Sequence, residues 1–75
     1  MEELLSILKE IHPEVDYDTE DGLIDKRIFD SFDIVTLVGQ LTEEYDIEIG
    51  PEDLIPENFN SAESIYGLVE RLMEE

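Results

Sequence analysis

The chain has 75 residues, of which 22 are acidic and four are basic, so its formal net charge is −18 at pH 7. Without cysteine it can form neither a disulfide nor a thiolate metal site, and it has no thiol nucleophile of its own. This acidity excludes nucleic acid and anionic membrane surfaces as partners, because both require clustered lysine and arginine. The same charge favours association with basic patches on other proteins.

The length predicts a single domain, residues 1–75, with a small core. Hydrophobic residues make up 41% of the chain and recur periodically, which favours a folded domain over acidic disorder. No stretch is long and apolar enough to span a bilayer, and the N-terminus lacks the basic region and cleavage site of a signal peptide. We therefore expect a soluble, cytoplasmic protein, and we expect it to be monomeric.

The first predicted element is a helix over "EELLSILKEI", where apolar residues recur at helical spacing. Pro13 disfavours helical geometry at His12 and ends this helix. Residues 12–30 then form a long connection, which needs anchoring to a core. Its apolar residues are the expected anchors: Val15, Tyr17, Leu23, Ile24, Ile28 and Phe29.

A second helix is predicted from about Ser31 to Tyr45, because apolar residues form a core-facing stripe along it. The stripe consists of Ile34, Leu37, Val38, Leu41 and Tyr45. A second apolar set lies on the neighbouring flank and consists of Phe32, Val35 and Gly39. The following "YDIEI" alternates like a strand but has no partner strand, so we expect an extended connector that buries Ile47 and Ile49.

Two more helical segments are predicted towards the C-terminus. The segment "GPEDLIPENFN" suits a short helix that begins at Pro51 and is ended by Pro56. In the last helix, Asn60 and Glu63 fit a capping box. Its apolar residues at helical spacing are Ala62, Ile65, Tyr66, Val69, Leu72 and Met73. The predicted fold is all-α, a small bundle of three main helices and one short helix, with a long loop between the first two helices.

The acidic segment "DYDTEDG" has part of the pattern of a calcium loop. Counted from Asp16, Asp18 and Glu20 fall at ligand positions, but position six is Asp21 where the pattern needs glycine. Position twelve is Arg27 where the pattern needs glutamate. A solvated loop with weak, adventitious binding of divalent cations is the better interpretation, and we predict no metal site.

The chain has one histidine, His12, near the end of the first helix, where a cation suits the helix dipole. As a catalytic base it would have to reach Ser31 across the fold, with a third group to orient it. The acids lie mostly on solvated faces, so we expect no pocket that would separate the pKa values of two carboxyl groups. We predict no catalytic residue and a protein that is not an enzyme.

The triplet Asp30-Ser31-Phe32 stands where the second helix begins. Ser31 could cap this helix, but Asp30 is an equally good cap, with Asp33 completing an approximate capping box. The Ser31 hydroxyl is then free at the helix N-terminus, a natural position for a phosphate diester. Phe32 and Val35 place an apolar patch beside it, where a purely structural helix would more often have polar residues.

The segment "FDSFDIVTLV" resembles the acyl carrier protein and peptidyl carrier protein superfamily, in which Asp-Ser and then Leu, Met or Phe open the second helix. The likeness covers essentially the whole chain, including "DGLID", "EEYDIEI" and "NFNSAESI". It implies an acyl-carrier-like bundle in which a phosphopantetheinyl transferase attaches 4'-phosphopantetheine from coenzyme A to Ser31. The thiol of that arm would carry acyl or aminoacyl groups as thioesters. The implied partners are cargo-activating ligases and acyl-transferring enzymes with basic docking patches.

The resemblance further implies that the second helix is the docking surface for these enzymes. Carried over by position, the docking residues are Asp30, Phe32, Asp33, Val35, Thr36, Gly39 and Glu43. Housekeeping fatty-acid carriers usually have leucine at the position of Phe32, and often glutamate at the position of Thr36. D-alanyl carriers also have phenylalanine after the serine but usually continue with a small residue where this chain has Asp33. Fatty-acid synthesis and a specialised acyl or amino-acid pathway therefore both stay open.

Two other functions remain alternatives. The first is a non-covalent acidic adaptor, which would use the flank of Phe32, Val35 and Gly39 to bind a partner helix or basic groove. The second is a weakly calcium-responsive domain, against which the incomplete calcium-loop pattern counts.

Overall fold

All regular secondary structure in the computed structural model, which describes residues 1–74, is helical. Within that range there is no strand, and the short turn Pro51–Asp53 is a 3-10 helix. The α-helices are α1 (Glu2–Ile11), α2 (Ser31–Tyr45), α3 (Pro56–Phe59) and α4 (Ala62–Met73). The predicted all-α bundle with three long helices is confirmed, but the short helix α3 follows Pro56, and the segment from Pro51 forms only the 3-10 turn.

The ends of α1 and α2 follow local signals in the sequence. Glu2 and Glu3 lie in the first turn of α1 and Lys9 in its last turn, which suits the helix dipole. The helix ends before Pro13, as predicted. α2 ends at Tyr45, and its C-cap Asp46 has a left-handed backbone (φ 53°, ψ 49°) that stops the helix. In the extended segment that follows, Ile47 is buried and Ile49 is partly buried, as expected.

The core lies where α1, α2 and α4 pack against one another. Its fully buried side chains are Leu4, Leu8, Leu23, Leu37, Leu41, Ile65, Leu68 and Val69. The predicted stripe of α4 needs one correction, because Leu68 is buried although it was not in the stripe, and Met73 is 57% exposed. Ile65 has buried neighbours three and four residues on, Leu68 and Val69, so the buried stripe is rotated away from Met73.

The connection over residues 12–30 is fastened to the core by the predicted anchors. Tyr17, Leu23 and Phe29 are buried, and the other three pack partly against the core. The Tyr17 hydroxyl donates to the Leu8 carbonyl at 2.8 Å and to the His12 carbonyl at 3.0 Å. The Phe29 amide donates to the Leu23 carbonyl at 2.9 Å, which closes the last part of the loop. The loop thus leads directly into α2.

Two boundaries near the C-terminus differ from the prediction. Pro56 begins α3 and does not end a helix, because proline lacks the amide hydrogen that is unpaired in the first turn anyway. The cap of α4 is Ser61, whose side chain accepts from the Ser64 amide at 3.0 Å. Asn60 has other partners: its Oδ1 accepts from the Ile24 and Asp25 amides, each at 3.0 Å. Asn60 therefore fastens the long connection and does not cap α4.

Candidate functional site at the start of α2

The first turn of α2 is held by two aspartates. Asp30 is the N-cap, with an extended backbone (φ −94°, ψ −174°), and its Oδ1 accepts from the Asp33 amide at 2.9 Å. The Asp33 Oδ2 in return accepts from the Asp30 amide at 3.2 Å. This reciprocal pair is the capping box expected from the sequence, with aspartate at the position where glutamate is usual.

Ser31 occupies the first helical position, and its side chain is exposed. Because Asp30 supplies the cap, the Ser31 hydroxyl is not needed for it, and it has no hydrogen-bond partner among residues 1–74. The backbone amides of Ser31 and Phe32 also lack an acceptor within that range. The tip of α2 therefore presents a free hydroxyl beside two free amide donors at the positive end of the helix dipole.

His12 lies against this same turn, which the sequence did not predict. Its Nε2 is 2.7 Å from the Asp33 Oδ2, and its Nδ1 is 2.7 Å from the Glu14 Oε2. The ring also packs against Phe29, with the ring centroids 4.9 Å apart. His12 thus pairs with a carboxylate two residues after Ser31 and is not hydrogen-bonded to the Ser31 hydroxyl. No local pattern could have indicated this pair, because its members are 21 residues apart.

These contacts change the acidity of the groups involved. The hydrogen bond to Asp33 raises the pKa of His12 above its ordinary value. Partial desolvation acts to lower this pKa, and the hydrogen bond to Glu14 acts to raise it further. Desolvation acts to raise the pKa of Asp33, but the hydrogen bonds from His12 and from the Asp30 amide outweigh it and lower that pKa. The cluster therefore favours the protonated form of His12 and the ionised form of Asp33.

Most of the predicted docking residues form one exposed face of α2. Phe32 is 84% exposed and Val35 is 70% exposed, the largest exposed fractions among the large apolar side chains of residues 1–74. The exposed members of this face lie at helical spacing from Phe32: Phe32, Val35, Thr36, Gly39 and Glu43. Gly39 has open space around its Cα, so no close contact requires a glycine there.

The two aspartates predicted for docking differ in their surroundings. Asp30 is exposed beside Ser31, although its carboxylate also caps the helix. The Asp33 side chain is only 24% exposed, and its carboxylate is engaged by His12 and by the Asp30 amide. Asp33 therefore has less freedom than the other docking residues to meet a partner.

Two surface clefts, of about 230 and 320 Å³, lie on another side of the molecule. Both are lined by Leu5, Tyr17 and Asp18, and neither is lined by a residue of α2. Among residues 1–74 no three histidine, aspartate or glutamate side chains are grouped so that they could hold a metal ion. No helix in that part of the chain is long and apolar enough to cross a membrane.

Comparison with known proteins assigns no relative: no family model, no curated protein and no solved structure matches this chain. The features that bear on function are therefore the geometry at the start of α2 and the sequence motif found there.

Proposed function

We propose that this chain is an acyl or aminoacyl carrier protein with the acyl-carrier type of helical bundle, and that Ser31 is its attachment residue for 4'-phosphopantetheine. The observation that carries the proposal is the Ser31 hydroxyl, exposed and free of hydrogen bonds at the first position of a 15-residue helix. A serine that served only as a cap would have its oxygen engaged with an amide, and here Asp30 has that task.

The residues around Ser31 suit a phosphate diester. The unpaired amides of Ser31 and Phe32 are donors for phosphate oxygens, and the dipole of α2 favours a negative charge at this end. The carboxylate of Asp30 is turned back to the Asp33 amide, which leaves those two donors accessible. Phosphopantetheine therefore fits the donors that the first turn of α2 offers.

Attachment requires a second enzyme and coenzyme A. The Ser31 Oγ forms a bond to the phosphorus that bears the pantetheine, while the bond from that phosphorus to the nucleotide phosphate breaks. The hydroxyl proton passes to a base on the phosphopantetheinyl transferase, and the nucleotide leaves with the bridging oxygen. Once attached, the arm supplies a thiol for thioester linkage to a carried acyl or aminoacyl group, which this cysteine-free chain cannot provide itself.

Partner enzymes would meet the chain at the exposed face of α2. Phe32 and Val35 offer apolar contacts next to the attachment residue, and Glu43 adds charge farther along the helix. With a net charge of −18, the chain is attracted to basic docking patches on the transferase, on cargo-activating ligases and on acyl-transferring enzymes. In this proposal the chain is a non-catalytic carrier, which is supported by the contacts of its single histidine with two carboxylates and not with the Ser31 hydroxyl.

Intact-mass spectrometry tests the proposal directly. The purified chain is incubated with coenzyme A and a promiscuous phosphopantetheinyl transferase, and we expect a mass gain of one phosphopantetheine. Ser31→Ala should abolish the gain, whereas Ser6→Ala, which removes another exposed serine hydroxyl in α1, should keep it. No mass gain, or a gain that persists in Ser31→Ala, would overturn the carrier function.

A second candidate is the non-covalent acidic adaptor, which is favoured by the same exposed Phe32 and Val35. An adaptor would bind a basic partner in a salt-sensitive way. Its affinity would fall in Phe32→Ala and stay unchanged in Ser31→Ala. Binding with that pattern, together with absence of the mass gain, would select the adaptor over the carrier.

A further inference from the structure

His12 connects the end of α1, the long connection and the first turn of α2. Its ring nitrogens contact Glu14 on one side and Asp33 on the other, each at 2.7 Å. Phe29 packs against the ring, and the Tyr17 hydroxyl donates to the His12 carbonyl at 3.0 Å. Within residues 1–74, the titratable groups that face His12 are therefore Glu14, Tyr17 and Asp33.

This arrangement requires a charged ring. An ionised carboxylate can only accept a hydrogen bond, so both ring nitrogens of His12 must donate, and only the imidazolium has two N–H groups. The neutral ring would turn a lone pair towards one of the two carboxylates at 2.7 Å, and that contact would be repulsive. Loss of the His12 proton therefore breaks one of the two contacts.

Through Asp33, His12 is connected to the hydrogen bonds between Asp30 and Asp33, the residues that flank Ser31. The same Asp33 Oδ2 that meets His12 accepts from the Asp30 amide at 3.2 Å. The Asp33 amide in turn donates to the Asp30 carboxylate at 2.9 Å. Ser31 lies between these two aspartates, so a change at His12 is transmitted to the turn that carries its hydroxyl.

We propose that His12 is a positioning residue for Ser31: it holds Asp33 and thereby keeps the first turn of α2 in the form that presents the Ser31 hydroxyl to the modifying enzyme. This inference rests on the carrier function proposed above. It makes the modification of Ser31 dependent on the protonation of His12. As the pH rises through the pKa of His12, the turn loosens and the chain becomes a poorer substrate.

The first test compares wild type with His12→Gln as substrates of one transferase. The value of kcat/KM for the carrier chain is measured from pH 5.5 to pH 9, and the ratio of the two chains removes the pH dependence of the transferase itself. Glutamine can make one of the two contacts but cannot take up a proton. We expect kcat/KM for the wild type to be about fivefold higher than for His12→Gln at low pH, a ratio that corresponds to about 1 kcal/mol. At pH 9 the two values should be equal.

Lys9→Gln is the matched control, because it removes one positive charge from the last turn of α1, next to His12, and Lys9 is not hydrogen-bonded to Glu14 or Asp33. Its ratio to wild type should be near one at every pH. A ratio for His12→Gln that does not change with pH, or the same pH dependence in Lys9→Gln, would overturn the proposal. Circular dichroism at each pH verifies that the compared chains are folded.

Nuclear magnetic resonance provides a second test that needs no transferase and no substitution at His12. The only histidine ring in the chain is titrated in the wild type, and the Ser31 amide signal is followed in the same samples. We expect both to change with one midpoint, and Asp33→Asn to move the midpoint of the ring to lower pH. A Ser31 amide that does not follow the ring would overturn the positioning role. A coupled titration in a chain that is never modified would instead disprove the carrier function and leave the contact between His12 and the turn established.

Discussion

Replacement of Asn60 by alanine should release the connection between α1 and α2 from its attachment near α4. The Asn60 Oδ1 accepts from the Ile24 and Asp25 amides at 3.0 Å each, and both bonds are lost in Asn60→Ala. The backbone bond from the Leu23 amide to the residue 60 carbonyl, at 2.9 Å, is kept. At about 1 kcal/mol for each lost bond, we expect the free energy of unfolding to fall by about 2 kcal/mol. The exposed contact of Asn60 Nδ2 with the Asp25 carboxylate adds little, because water competes for it.

Urea unfolding and thermal melting measure this loss. In a domain of this size, about 2 kcal/mol corresponds to a decrease in Tm of roughly 8–16 °C. Amide hydrogen exchange locates the effect, because the Ile24 and Asp25 amides should exchange faster in Asn60→Ala. Ser61→Ala is the matched control: it removes the cap of α4, should cost about 1 kcal/mol, and should speed exchange at Ser64 and not at Ile24.

A loss below about 0.5 kcal/mol, the usual effect of a surface substitution, would refute the reasoning about Asn60. Faster exchange at Ser64 with no change at Ile24 in Asn60→Ala would also refute it. That result would mean that Asn60 acts as the cap of α4 and not as the anchor of the long connection.

Three further predictions concern the start and the core of α2. Asp30→Ala should cost about 1 kcal/mol as a lost cap, whereas Ser31→Ala should leave the urea midpoint unchanged because its hydroxyl stabilises nothing in the fold. Leu37→Ala, in a fully buried position, should cost about 2–5 kcal/mol and unfold much of the protein, whereas Phe32→Ala, 84% exposed, should stay within about 0.5 kcal/mol. The pKa of His12 is raised by its carboxylate partners, so its contribution to stability is complete at low pH and is lost as the pH rises through that pKa. As the pH is raised through the pKa of His12, the urea midpoint should fall for wild type and stay unchanged for His12→Gln.

The fold class and the exposed position of Ser31 at the start of α2 could be predicted because they depend on short-range features. Apolar spacing indicated the helices, Pro13 ended α1, and the pair of Asp30 and Asp33 marked the start of α2. With the cap assigned to Asp30, the free hydroxyl of Ser31 followed directly, and the structure places it at the exposed tip of the helix. Phe32 and Val35 lie off the core-facing stripe of α2, and both are exposed.

Other features depend on which segments the fold brings together. Two stripes on α4 satisfy helical spacing, and packing against α1 and α2 buries the one with Leu68 and leaves Met73 exposed. Asn60 and Ser61 are both good caps by composition. Ser61 caps the helix, and Asn60 instead binds amides up to 36 residues away.

The sequence by itself determined the helices and the position of Ser31, since these depend on residues within about one turn of each other. Its composition alone determined the absence of a thiol. Only the tertiary structure decided that His12 meets Asp33, 21 residues along the chain. That contact requires α1 to pack on α2 and the long connection to be anchored in the core, and no periodicity or spacing encodes either condition. The physical reason is that a helix cap forms between residues close in sequence, whereas the partner of a side chain at the end of a helix depends on how the whole bundle packs.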